Sequence, residues 1–80
     1  MGIPMSEVTI YIPLLEEGVW TARPTQAEVI KDNVYKVLPT ADYSPEEEKW
    51  EYLPGTFVHC KKYTDPIIGE SLLAYEIAKY

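Results

Sequence analysis

Proline punctuates this chain. Pro13, Pro24, Pro39, Pro54 and Pro66 divide it into stretches of about a dozen residues. Because proline lacks an amide donor and clashes with the helical turn before it, no long helix fits between them. Stretches of that length separated by turns are the pattern of short strands in a small sandwich or barrel. The 80 residues make one domain, residues 1–80. A domain of this size buries only about 60% of the surface that its unfolded chain exposes, so a thin core without a deep cavity is expected.

Alternation places the first strand at residues 7–12, with Val8, Ile10 and Ile12 on one side and Glu7, Thr9 and Tyr11 on the other. Residues 14–18 read as a loop. Residues 19–30, rich in Val, Thr and Ile, read as extended, and Pro24 within them demands an edge, a bulge or a bend. Asp32 and Asn33 tolerate positive φ and make a hairpin turn into a return strand over residues 34–38. Pro54 and Gly55 make the next turn, and residues 56–63 follow as a β-branched and aromatic strand. In the last segment Leu73, Tyr75 and Ile77 alternate as a strand, whereas Leu73, Ile77 and Tyr80 also fit a helical stripe. The strand is favoured, because Asp65, Pro66 and Gly69 supply a hairpin loop before it.

Residues 44–60, SPEEEKWEYLPGTFVHC, carry the most information. Ser44 is a capping hydroxyl, Pro45 suits the first helical position, and the glutamates Glu46, Glu47 and Glu48 favour the positive end of a helix dipole. One short helical turn is therefore expected from Pro45 to Trp50. Trp50 and Tyr52, two apart, face the same way if the chain is extended. Either Trp50 is a lid on the core and the glutamates are a solvated face, or Trp50, Tyr52 and Glu46 to Glu48 form an exposed patch that receives a basic or proline-rich peptide.

This pattern resembles a group of short uncharacterised bacterial proteins, some of the type carried in mobile integron gene cassettes. They share a run close to Asp-Pro-Glu-x-Glu-x-Trp-x-Phe-x-Pro-Gly-x-x-Val-x-Cys. The matching residues are Pro45, Glu46, Glu48, Trp50, Pro54, Gly55, Val58 and Cys60, with Ser44 in place of aspartate and Tyr52 in place of phenylalanine. Trp20, Arg23, Pro24, Ala27 and Glu28 are similar to an earlier part of the pattern, and Leu73, Ala74 and Glu76 to a later part. The resemblance implies a stand-alone small β-barrel and brings no catalytic residue with it.

Thirteen acidic against seven basic side chains leave a net charge of -6, which repels phosphate backbones and anionic lipid. The apolar runs are far shorter than the roughly 20 residues that span a bilayer. A lone cysteine, Cys60, permits no intramolecular disulfide and fits a reducing compartment, so a cytoplasmic protein is expected. Met5 is a second candidate start, with Met1 to Pro4 then an expression remnant. His59 and Cys60 are adjacent on one strand and point to opposite faces, so they make no nucleophile and base pair. One histidine and one cysteine leave no metal-ligand spacing, and the scattered glycines form no phosphate loop. Neither a metal nor a cofactor is expected.

The expected fold is all-β: about five antiparallel strands curled as a small barrel of the Src-homology kind. Seven tyrosines and two tryptophans exceed what a thin core absorbs, and such rings are enriched at interfaces. The expected function is protein-protein interaction without catalysis, as a binding module for an unidentified protein or peptide or as a symmetric homo-oligomer. The contact residues are Trp20, Arg23, Trp50 and Tyr52, rimmed by Glu46, Glu47 and Glu48. One alternative is a barrel for single-stranded nucleic acid or a small ligand, with Tyr35, Tyr63 and Trp20 stacking bases beside Lys31, Lys36, Lys61 and Lys62. Another is a small hydrolase using the glutamate cluster, although no apolar pocket is evident to raise a pKa there.

Overall fold

A computed structural model describes residues 6–67 and 69–79. The expectations placed on residues 1–5 and on Tyr80 lie outside the described residues. The fold is all-β. Its strands are β1 (Glu7–Leu15), β2 (Ala22–Lys31), β3 (Val34–Val37), β4 (Lys49–Trp50), β5 (Phe57–Asp65) and β6 (Gly69–Ile77). Among the described residues no helix is long and apolar enough to cross a membrane.

The strand order is β2-β3-β5-β6-β1-β4, and β1 also pairs with β2. The pairings β1, β2, β3, β5, β6 therefore return to β1 as a ring. The expected antiparallel arrangement holds for four of the five ring pairings, while β1 and β6 are parallel and meet at Tyr11 and Leu73. Parity requires this exception, because five strands alternating in direction bring the first and last side by side with the same direction.

Each turn follows from its residues. Asn33 holds a φ of 54°, and Lys31 pairs with Val34 across the Asp32-Asn33 turn. The Asn33 side-chain oxygen accepts the Cys60 amide at 2.9 Å. A side chain thus extends the β3–β5 ladder, whose backbone pairs are Tyr35 with Val58 and Lys36 with Phe57. At the next turn the Thr56 amide donates to the Leu53 carbonyl at 3.0 Å, and Gly55 has a φ of 94° after Pro54. This is the type II geometry that requires glycine at its third position.

Pro24 sits in β2 opposite Tyr11. The Leu14 amide bonds to Thr21 and the Val29 amide to Ser6, which puts Pro24 in a wide pair, its nitrogen turned away from β1. On that other side β3 pairs only as far as Ala27. The missing donor therefore falls at an edge. The other extended segments begin and end close to the expected places, with two corrections: β2 starts only at Ala22, which leaves residues 19–21 in the connection, and β1 continues through Leu14 and Leu15, expected as loop, which pair with Trp50 and Lys49 of β4.

The expected helical turn from Pro45 to Trp50 does not form. The Glu47 and Glu48 amides both donate to the Ser44 carbonyl at 3.0 Å, closing a single turn. Lys49 and Trp50 then join β1, and the Glu51 amide donates to the Pro13 carbonyl at 2.9 Å. Helix nucleation is costly for so short a segment, and strand pairing buries the indole instead.

The core holds Ile10, Ile12, Ala27, Val37, Trp50, Tyr52, Val58, Cys60 and Ala74. Cys60 behaves as the small buried hydrophobe expected of it, on the same side as Val58. The last segment is the expected strand. It carries a bulge: His59 pairs with Glu76 and Cys60 with Ala74, which leaves Tyr75 unopposed.

The turn at Asn33 yields a first prediction. Asn33→Ala removes the bond to Cys60 and places a β-carbon at positive φ, whereas Asn33→Gly removes only the bond. Urea titration should show the alanine variant destabilised by about 1–3 kcal/mol and the glycine variant by less. Equal losses would mean that the backbone at this turn carries no strain.

Candidate functional site

Arg23 lies opposite Ile12, on the core-facing side of β2 but beyond the end of β3, where residues 39–48 cross the open end of the ring. Its Nε donates to the two Glu48 carboxylate oxygens at 3.1 and 2.9 Å, and its Nη2 donates to the same carboxylate. Trp50 Nε1 donates to Glu48 Oε1 at 3.1 Å, and the Tyr43 ring meets the indole edge-on at 4.7 Å between centroids. One carboxylate thus ties a strand, a loop and the largest core side chain together. The Arg23 bonds hold the Glu48 carboxyl below its ordinary range, the Trp50 bond adds to this, and partial burial opposes it. The same pairing raises the Arg23 guanidinium. Beside the cluster is a shallow cleft of about 290 Å³ lined by Arg23, Asp42, Ser44, Glu47 and Glu48. An ionised carboxylate surrounded by donors is the reverse of the apolar setting that raises a general acid.

The expected patch is divided by the fold. Trp50 is 2% exposed and Tyr52 7% exposed, so both rings are in the core and the lid reading of Trp50 applies. Burial, with Glu51 adding to it, pushes the Tyr52 hydroxyl up to about 12. Glu46 and Glu47 are exposed, and Glu48 is turned inward to Arg23. The strand pairing of Trp50 with Leu14 directs the indole inward, and the chain brings Tyr52 in after it. Arg23, Glu48 and Trp50 are brought together, but as a latch and not as an open surface.

Trp20 is placed elsewhere. It is 58% exposed, and its ring lies 5.6 Å from that of Tyr63, which in turn lies 6.0 Å from that of Tyr11. Tyr11 points away from the core, between Ile10 and Ile12, yet is only 8% exposed because this outer stack covers it. Val19 and Leu15 are exposed near Trp20 in sequence, and Pro24 lies opposite Tyr11 on the same outer side. Tyr63, expected beside Trp20 only as a base-stacking residue, and Tyr11, not expected at a contact, are thus members of a surface aromatic cluster. The alternation of β1 puts Tyr11 on the outer face, but nothing local couples it to Tyr63, 52 residues away in the chain.

His59 and Cys60 stay apart, as expected of strand neighbours. His59 Nδ1 lies 2.7 Å from the Asn33 carbonyl oxygen, which requires a proton on that nitrogen, and Nε2 lies 3.9 Å from Glu76. Burial pushes the Cys60 thiol up to about 12, far from the thiolate that a nucleophile needs. Among the described residues no group of three His, Cys, Asp or Glu side chains is placed to hold a metal ion.

Two predictions follow from the latch. Trp50→Ala should cost about 3–5 kcal/mol, a large fraction of what an 80-residue domain has, and circular dichroism should show cooperative loss of the fold at a lower temperature or outright unfolding. An unchanged melting curve would exclude the lid role. For Glu48, whose folded pKa is lowered, the stabilisation is complete above its unfolded pKa and is lost as pH falls through the folded value. The stability gap between the native chain and Glu48→Gln, from urea titrations at stepped pH, should be constant near neutrality and close in acid. A gap that persists unchanged to about pH 2 would contradict the ion pair.

No protein-family model, curated protein or solved structure matches this chain, so the site is read from its geometry.

Proposed function

We propose that this chain is a non-catalytic protein-interaction module of the cytoplasm, folded as a small closed barrel of the Src-homology kind. Its contact face is centred on Trp20, Tyr63 and Tyr11. The observation that carries the reading is the state of Trp20: more than half exposed, yet seated on Tyr63 at 5.6 Å. An exposed tryptophan already fixed by a neighbouring ring loses little side-chain entropy on binding, and tryptophan and tyrosine are the usual anchors of protein interfaces. The ring of strand pairings supports the barrel. The lone buried Cys60 fits a reducing compartment. The inert thiol and the fully engaged Glu48 favour binding over catalysis. The likeness to short cassette-borne bacterial proteins agrees with a domain that works alone.

The occupant of this face is a partner protein or peptide, or a second copy of the chain. Trp20→Ala should leave the urea midpoint within about 0.5 kcal/mol of the native value, as expected at an exposed position. It should also abolish whatever the face binds: ligands selected on the native protein from a displayed random-peptide library, or a light-scattering mass above that of the monomer. A native protein that stays monomeric and selects no ligand dependent on Trp20 would end this reading.

A further inference from the structure

Acidic residues accompany both exposed rings of the aromatic cluster, in the chain before Trp20 and by a hydrogen bond at Tyr63. Glu16 and Glu17 stand just before Trp20 in the β1–β2 connection, both exposed, and Glu16 holds a φ of 62° that shapes the turn. At the other ring the Tyr63 hydroxyl donates to Asp65 Oδ2 at 3.4 Å. The Asp65 oxygens are both engaged, since Oδ1 accepts the Ile67 amide at 2.8 Å, so the exposed acidic groups of this connection are Glu16 and Glu17. An exposed indole with two glutamates three and four residues before it suits a planar cation, which stacks on the ring while its N–H groups reach carboxylate oxygens.

Resting on the interaction-module reading, we propose that the occupant of this face is an extended basic segment of another protein, and that an arginine of that segment docks on Trp20. Arginine fits better than lysine because the guanidinium is flat, forked and weakly hydrated, whereas an ammonium group is a strongly hydrated point charge. The net charge of -6 attracts such a segment from a distance and repels both a second copy of the chain and a nucleic-acid strand. A self-contact through this face would set the acidic rim of one copy against that of the next. A cation already stands beside the cluster, since Lys61 is in the cross-strand row of Leu73 and Tyr11, with its Nζ turned over the Tyr75 ring at 5.6 Å. The ligand is therefore a segment with one or two arginines directed to Trp20, and not a polybasic run.

A displayed random linear-peptide library selected on the full chain tests this. The expected outcome is that ligands lost by Trp20→Ala carry arginine in excess of aspartate and glutamate. A synthetic peptide of the best sequence should bind about tenfold more weakly when citrulline replaces its arginine. It should bind several-fold more weakly to the Glu16→Gln, Glu17→Gln variant, whose rim substitutions leave the core untouched, and more weakly as salt rises. If the Trp20-dependent ligands show no arginine excess, or the citrulline peptide binds equally well, the arginine inference falls while the contact face stands. If no selected ligand depends on Trp20, both fall. Tighter binding of single-stranded DNA than of any selected peptide would also overturn the proposal.

Discussion

The indole of Trp50 is the part around which the open end of the ring is assembled. It pairs through its backbone with Leu14, packs with Ile10, Ile12, Val37 and Val58 in one core cluster, takes the edge of Tyr43, and donates to Glu48. Glu48 in turn holds Arg23 of β2. A ring formed by β3 of four residues and β2 of ten is left uncovered where the shorter strand stops. The 39–50 segment closes that opening, and it can do so only because a carboxylate satisfies both the guanidinium and the indole N–H in a half-buried place. Among the described residues no buried side-chain nitrogen or oxygen lacks a partner, so the closure leaves no polar debt.

Two aromatic systems result, on opposite sides of the same sheet. Inside, Trp50 and Tyr52 supply volume that small residues such as Ala27, Ala74 and Cys60 leave over. Outside, Trp20, Tyr63 and Tyr11 make a ladder across the connection of β1 to β2, β1 itself and β5. β1 serves both systems, since Ile10 and Ile12 face in while Tyr11 between them faces out. Residues that stabilise the molecule are thereby separated from residues free to meet something else. Such a division lets the outer rings change without disturbing the inner packing.

Much of the fold could be read from the chain, and the failures have physical causes. Turns were legible at Asn33 and Gly55 because positive φ restricts the residue choice at those positions. Strand 1 was legible through its alternation, and Pro24 through its need for an unpaired side. The helix signal at Ser44 to Glu48 misled because it is local: it leaves a hydrogen-bonded turn and no helix, and a pairing with Leu14, far away in sequence, draws Trp50 into a strand. The same remoteness hid the site. Nothing near Trp50 reveals that Arg23 will take its neighbouring glutamate, and nothing near Trp20 reveals that its ring rests on Tyr63 and, through it, on Tyr11. Composition did indicate a surplus of rings, yet only the register of β1 against β2 and β6 decides which of them stay outside.

An odd number of alternating strands cannot close on itself without one mismatched join, and here that join is the parallel pairing of β1 and β6, whose register sets Tyr11 opposite Leu73. The β1–β6 pairing is thus the clasp that closes the ring. The clasp residue Tyr11 is also the base of the outer aromatic stack. Whatever meets that stack therefore sits directly over the fastening. The closure of the ring and its outer aromatic face thus share one tyrosine.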